Sequence, residues 1–374
     1  METKVLVMGF NVGMGGVQSY LMNLIRYIDR TKIKFDYIVP GENTVYENEI
    51  SSLGGKVYYV TPQKTNVFKN LYETFRILKN NKSKYDIIYF NHSLLYFIFP
   101  FIFAYLLGYK KILSHAHSAG PSNPPQNLRY GLHNFNKRII VKYSDYLLTC
   151  SNEATRWVFG DSKKFDKKVQ LIPNGINVEK FRFKIDTRSQ YRNYYNIDKE
   201  TIVLGTVGRL SEEKNHKFLI EIFEKFLLLN PDSKLFIVGD GPEKDRLFEI
   251  ISEKKLTESV KLFGSRSDIS EFLHMFDVFI LPSHYEGLGI SLIEAQASGL
   301  LCFASKDKVP ESVNLTGNVI YLDLDCLSPN EWAKEIDQSL KKFNRTDKSE
   351  DIYSAGYDIE SVTNQFEEYI LKIE

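Results

Sequence analysis

The sequence predicts an α/β protein made of two doubly wound parallel sheets. Three observations carry that reading. Short apolar runs alternate with helical stretches from the N-terminus, the alternation restarts near residue 202, and a Pro-Asn-Gly segment separates the two series. The chain has 374 residues, whereas single hydrophobic cores stop growing near ~250–300 residues.

The first series opens with Lys4–Met8, an apolar run of strand length, followed by a glycine turn at Gly13–Gly16. Val17–Ile28 then carries Leu21, Leu24, Ile25 and Ile28 at helical spacing. Phe35–Val39, Lys56–Val60, Asp86–Phe90, Lys111–Ser114 and Tyr146–Cys150 read as further strands, and such runs suit a parallel sheet covered on both faces. Leu94–Tyr109 is deceptive: it is apolar throughout, but shorter than the ~20 residues of a spanning helix, and Pro100 interrupts it. A buried or interfacial helix is expected there, with its aromatic face available to a membrane interface.

The second series comprises Ile202–Val207, Lys234–Val238, Val260–Phe263, Val278–Leu281 and Leu301–Ala304 as strands. Phe218–Leu229, Glu243–Lys254, Ile269–Met275 and Ser291–Ala297 are the helices between them. The hinge is placed at Ile172-Pro173-Asn174-Gly175-Ile176, continuing to Phe183. The expected domains are residues 1–173 and 174–350, with a tail over 351–374 ending in an amphipathic helix that packs back toward the first domain. Two such domains imply a central cleft, with ligands beyond the carboxyl ends of the strands.

Composition excludes several classes. With 43% hydrophobic and 25% charged residues, the chain is neither disordered nor collagen-like. Cys150, Cys302 and Cys326 match no metal spacing and no disulfide framework, so a reducing, cytoplasmic setting is expected, without a secretory leader. The net charge is only +1, yet residues 1–183 carry +12 and residues 184–374 carry −11. A basic half joined to an acidic half suggests that the first faces an anionic surface; two independently solvated halves are the plainer alternative.

Three loops that follow strands carry unusual residues. Gly13-Met14-Gly15-Gly16-Val17-Gln18 opens a helix, where glycines and free N–H groups suit a phosphate. Gln18 replaces the third glycine of a dinucleotide fingerprint, which disfavours a nicotinamide enzyme; by itself the loop equally fits a tight turn. Gly208-Arg209-Leu210-Ser211-Glu212-Glu213-Lys214-Asn215 holds two cations that could neutralise a diphosphate, or be merely solvated. Pro282-Ser283-His284-Tyr285-Glu286-Gly287-Leu288-Gly289 leads into a helix carrying Glu294 in an apolar stretch. A carboxylate there needs a partner, either sugar hydroxyls or a local cap.

Taken together, Glu286-x7-Glu294 with its Glu-Gly-Leu-Gly run, the Gly-Arg-Leu-Ser loop, the Pro-Asn-Gly-Ile hinge and the N-terminal Gly-Gly loop resemble one family over nearly the whole chain. It is the retaining, nucleotide-sugar-dependent glycosyltransferases of family 4, with the GT-B fold. Ser151–Gly160 and Glu294–Gly299 look like its exopolysaccharide and capsule branch.

The resemblance implies roles position by position. Arg209 and Lys214 would bind the donor diphosphate and act in catalysis, Glu286 would hold donor-sugar hydroxyls, and Glu294 would accept from the ribose. Backbone N–H groups of Leu288 and Gly289 would assist at the sugar and phosphate, Gly264 to Arg266 would lie beside the base, and Gly15 and Gly16 would line the phosphate side. Within Ser114-His115-Ala116-His117-Ser118 a histidine would lie near the donor sugar, with register favouring His117 over His115.

The implied reaction is transfer from a nucleoside diphosphate sugar, with UDP the expected nucleotide, to an acceptor hydroxyl with retention and without a metal or other cofactor. The implied acceptor is a lipid-diphosphate-linked or other saccharide at the inner face of the cell membrane. Peripheral attachment would run through basic stretches such as Arg129–Lys142 and Lys163–Lys168. No nucleic-acid partner is implied. The rivals are an epimerase of the same fold and a noncatalytic partner in polysaccharide assembly.

Overall fold

The computed structural model describes residues 2–13, 15–120, 126–161 and 169–372. The stretch Lys163–Lys168 and Met14 lie outside them. The chain forms two units, Met1–Gly175 with Ile359–Glu374, and Ile176–Asp358. Residues 351–358, grouped with the tail in the sequence reading, thus lie in the second unit.

In the first unit, strands β1 (Thr3–Met8), β2 (Ile33–Pro40), β3 (Val57–Val60), β4 (Ile87–His92), β5 (Ile112–Ala116), β6 (Tyr146–Thr149) and β7 (Val169–Leu171) form one sheet. Its order is β3-β2-β1-β4-β5-β6-β7, and the paired strands run parallel. Helices α1 (Gly16–Tyr27), α2 (Glu47–Ser52), α3 (Val67–Asn80), α4 (Phe99–Leu106), α5 (Leu128–Tyr143) and α6 (Asn152–Val158) cover it.

The order reverses at β1, and right-handed crossovers then send helices to opposite faces on either side of the reversal. One core accordingly packs α1 and α2 against the sheet with Val362, Phe366 and Ile370 of the C-terminal helix Ile359–Lys372. The other core takes Leu78 of α3, Phe101 of α4, Ile140 of α5 and Val158 of α6. Within Leu94–Tyr109 only α4 is helical, and Pro100 stands in its first turn rather than mid-helix, where its missing N–H costs nothing.

The second unit repeats the plan with β8 (Ile202–Val207), β9 (Ser233–Val238), β10 (Val260–Leu262), β11 (Val278–Leu281), β12 (Leu301–Ser305) and β13 (Val319–Leu322). Its parallel order is β10-β9-β8-β11-β12-β13. Trp332 and Phe223 anchor one face, Phe272 and Phe276 the other. Three arginines, Arg188, Arg192 and Arg345, donate to the carbonyls at the end of helix Ile269–Met275, which would otherwise be orphaned.

Candidate functional site

In the second unit β8 and β11 are neighbours although β9 and β10 intervene in sequence. The loops that leave such a switch point diverge and open a crevice. The loop after β8 carries Arg209 and Lys214, and the loop after β11 carries Glu286.

An ion pair joins these two loops: Lys214 Nζ lies 2.5 Å from Glu286 Oε1, with side chains only 19% and 8% exposed. Ser283 Oγ donates to the same oxygen at 2.6 Å. The Glu286 N–H donates to the Lys308 carbonyl and the His284 N–H to that of Glu213, which fixes the loop backbone. Lys214 closes the short helix Glu212–Lys214, and Asn215, in the left-handed region at φ 54°, turns the chain into helix His216–Leu229. Burial, with the Lys214 charge adding to it, pushes the His216 imidazole down to about 3. That side chain is therefore a neutral neighbour of the pair.

Arg209 is exposed, and its guanidinium makes no hydrogen bond or ion pair with a described residue. Gly289 caps helix Ile290–Ala297 with no side-chain partner, and the Leu288 and Gly289 N–H groups find no acceptor among the described residues. The Leu288 side chain is part of the core, which leaves only its backbone for contact with any ligand. Glu294, on the second turn of that helix, is half-buried, and its carboxyl makes no hydrogen bond with a described residue. Burial pushes its carboxyl up to about 8, against the opposing pull of Lys180.

The ends of β9 and β10 stand beside this site, and sequence reasoning missed the first of them. Gly239 has φ +147°, and a Cβ there would sit 1.8 Å from the Gly208 carbonyl oxygen. Its N–H donates to the Gly264 carbonyl. The Gly239-Asp240-Gly241-Pro242 run directly after a strand was the available signal. Arg266 is committed: its guanidinium grips Asp268 through two bonds of 2.8 and 2.6 Å. Beside a base, its backbone rather than its charge is free.

In the first unit the corresponding switch point is β1/β4. Gly9, at φ +89°, lets the end of β1 approach the Asn91 carbonyl, which a Cβ would meet at 2.3 Å. Asn91 Nδ2 donates to the Met8 carbonyl, and its Oδ1 holds His117 Nε2 at 2.7 Å. This bond makes Nε2 the protonated nitrogen and leaves His117 Nδ1 as an acceptor without a partner among the described residues.

His115 is fully buried with Nδ1 on the Tyr89 hydroxyl, and its ring lies 3.9 Å from that of His117. Of the two, His117 is thus the half-exposed one at the strand end. Burial, with His92 adding, pushes His117 down to about 3. Gly15 caps α1 without a side-chain partner, and Gly16 begins the helix. Gln18, in its first turn, is buried with Nε2 unpartnered among the described residues.

Residues 187–358 match the family model described as glycosyl transferases group 1, and residues 14–180 match glycosyltransferase family 4. A protein of Bacillus subtilis (strain 168) named as a glycosyltransferase, EpsF, is 30% identical over 90% of this chain and 87% of its own. The chain belongs to the family 4 glycosyltransferases.

Other relatives of this glycosyltransferase include an Escherichia coli UDP-Gal:alpha-D-GlcNAc-diphosphoundecaprenol alpha-1,3-galactosyltransferase, 29% identical over 71% of this chain and 65% of that one. The Staphylococcus aureus capsular polysaccharide biosynthesis glycosyltransferase CapH is 24% identical over 91% of both chains. Among solved structures, Anabaena HepE in complex with UDP and glucose matches with a TM-score of 0.80 at 19% identity, over 99% of this chain and all of that one. The glycosyltransferase therefore has the GT-B fold.

Proposed function

We propose that this glycosyltransferase moves a hexose from a UDP-sugar to a hydroxyl of a lipid-diphosphate-linked saccharide, with retention, in capsule or exopolysaccharide synthesis. The observation that carries the reading is the buried Lys214–Glu286 pair bridging the switch-point loops, with the unengaged Arg209 on the first of them. The E. coli relative uses such a donor and a lipid-diphosphate acceptor by its name, and CapH supports the capsule assignment.

In this reading Arg209 and Lys214 bind the diphosphate and stabilise the charge that develops on it as the glycosidic bond breaks. These two cations, Lys214 held by Glu286 and Arg209 unengaged, supply in this reading the charge that a divalent metal would otherwise bring. Glu286 orients Lys214 and accepts from donor-sugar hydroxyls through its second oxygen. The Leu288 and Gly289 N–H groups donate to the sugar or phosphate, and Glu294 accepts from the ribose. Gly264 and the Arg266 backbone border the base, while Gly15 and Gly16 present α1 to a phosphate.

His117, held neutral by burial, stands at the strand end near the donor sugar in this reading, with Nε2 on Asn91 and Nδ1 buried. No protein nucleophile is invoked: the acceptor attacks on the face the diphosphate leaves, and the diphosphate oxygen takes the acceptor's proton. Positioning and charge stabilisation then supply the rate. Turnover of UDP-sugars with and without a lipid-diphosphate-linked acceptor tests this. UDP release that depends on the acceptor supports transfer. Conversion of the donor alone would indicate an epimerase, and binding without turnover a noncatalytic partner.

A further inference from the structure

Among the described residues no helix is long and apolar enough to cross a membrane, yet the proposed acceptor is anchored in one. The outer surface of the first unit's α3–α5 layer has an organisation that the transfer chemistry does not use. These helices follow parallel strands, so they run side by side in one direction, with their N-terminal ends at the carboxyl end of the sheet. Phe75 of α3 packs edge-on against Phe103 of α4, and the ring of Tyr105 of α4 lies tilted against that of Tyr143 of α5.

The exposed face of each helix mixes large apolar and basic side chains, with no acid among them. On α3 it runs Phe68, Lys69, Tyr72, Arg76, Lys79, and on α5 it runs Leu128, Arg129, Leu132, Phe135, Arg138, Lys142. On α4 and the turn after it, Phe99 is followed by Tyr105 and Leu106 and then Lys110. Phe68 is 80% exposed, Leu128 78% and Phe135 62%, far beyond what core packing explains. Helices α4 and α5 contain no carboxylate at all, and the single one on α3, Glu73, accepts from the Thr61 N–H.

At the C-terminal ends of α3 and α4, Lys79, Lys82, Lys110 and Lys111 line an open cleft of about 460 Å³. None of the four forms an ion pair with a described residue. The acid of that cleft, Asp86, is occupied by the Lys4 N–H. Lysines at helix C-termini complement the helix dipole, but that alone gives neither a common cleft nor the exposed aromatic and leucine side chains on the same helices.

We infer that this face docks on an anionic lipid bilayer. The aromatic and leucine band at the carboxyl end of the sheet enters the interface, and the lysine cleft takes lipid headgroup phosphates. Charge complementarity selects that occupant: a neutral apolar partner would leave the lysines unsatisfied, and a soluble polyanion would leave the apolar band exposed. The inference rests on the transferase reading only for the reason a membrane is needed, since it brings the carboxyl ends of the first unit's strands toward a lipid-anchored acceptor. It narrows the expected attachment to one face, which includes part of Arg129–Lys142.

Cosedimentation with phosphatidylcholine vesicles, with and without phosphatidylglycerol, tests it. Wild-type protein should bind only the anionic vesicles. The double variant Lys79→Glu/Lys110→Glu should lose binding at about fivefold or more per side chain. Phe68→Ser/Leu128→Ser, which alters exposed side chains only, should weaken it by about tenfold. UDP affinity should stay at the wild-type value in both variants, which reports an intact fold. Equal binding to both vesicle types, or variants that sediment like wild type, would overturn the inference. Loss of acceptor-dependent UDP release from wild-type protein, with vesicle binding intact, would instead sink the transferase reading alone.

Discussion

At the scale of single residues, Lys214 and Glu286 hold the proposed chemistry, because each is costly to bury without the other. Lys214→Ala should lower transfer by about 10²–10³-fold, as loss of a charge-stabilising donor does. It should also destabilise the protein by about 2–4 kcal/mol, because Glu286 is left buried and uncompensated. Adding Glu286→Gln should recover most of that stability, read by thermal unfolding, and none of the activity. Glu294 makes a pH prediction. Its carboxyl is raised to about 8, so at neutral pH it is protonated in the free protein, and a ribose that donates to the carboxylate must displace that proton. UDP affinity should therefore rise between pH 6 and pH 8 by about tenfold per unit at most. Glu294→Gln should flatten that rise in a calorimetric titration.

Arg209, Lys214, Glu286 and Glu294 stand out as candidates in the sequence because each lies in a loop after a strand, or on the helix that loop opens, where charge meets glycine or apolar neighbours. Ser283 and Asn91 are not, since nothing local distinguishes a hydrogen-bonding serine or asparagine from a loop residue. What commits Arg266 to Asp268 is a side-chain geometry that sequence spacing does not encode.

Among the elements, central strands such as β1 and β11 are readable because both faces are buried, which forces an unbroken apolar run. The strands β7 and β13 were missed: they lie at sheet edges, are three and four residues long, and need apolar residues on fewer contacts. The position of Pro100 differs because the apolar run Leu94–Tyr109 conceals a loop, and the helix starts only where proline is tolerated. Gly239 was missed for a tertiary reason, the approach of the Gly208 carbonyl. A Cβ there must displace backbone, so Gly239→Ala should cost about 2 kcal/mol or more, against the ~0.5–1 kcal/mol gain of Gly→Ala at an unstrained site. Chemical denaturation of the two proteins would measure it, and an unchanged midpoint would mean that the two strand ends do not meet as described.

For the whole molecule, the charge asymmetry survives in a softer form. By units it is +8 and −7, because the C-terminal helix brings acidic residues to the basic first unit. That unit also buries histidines. Burial pushes His92 and His117 down to about 3, His133 to about 4, and His115 well below its ordinary value. Groups whose folded value is depressed favour folding above the unfolded value near 6.5. That stability is lost as pH falls, at up to about 1.4 kcal/mol per histidine per pH unit. The melting temperature should therefore drop steeply between pH 6.5 and pH 5; a flat profile there would show that these imidazoles are not held neutral.

Everything proposed for the second unit depends on its strand-end site holding a nucleoside diphosphate through side chains this chain supplies. Arg209 is the cleanest probe, because its guanidinium is exposed and bonds to no described residue, so its loss leaves the fold intact. Titration of UDP into wild-type protein and Arg209→Ala, at matched melting temperatures, decides the matter. Saturable binding should weaken by about tenfold or more in the variant, the loss of a charge-assisted phosphate contact. Equal affinity in the two proteins, or no UDP binding by the wild type, would contradict a diphosphate site at these loops.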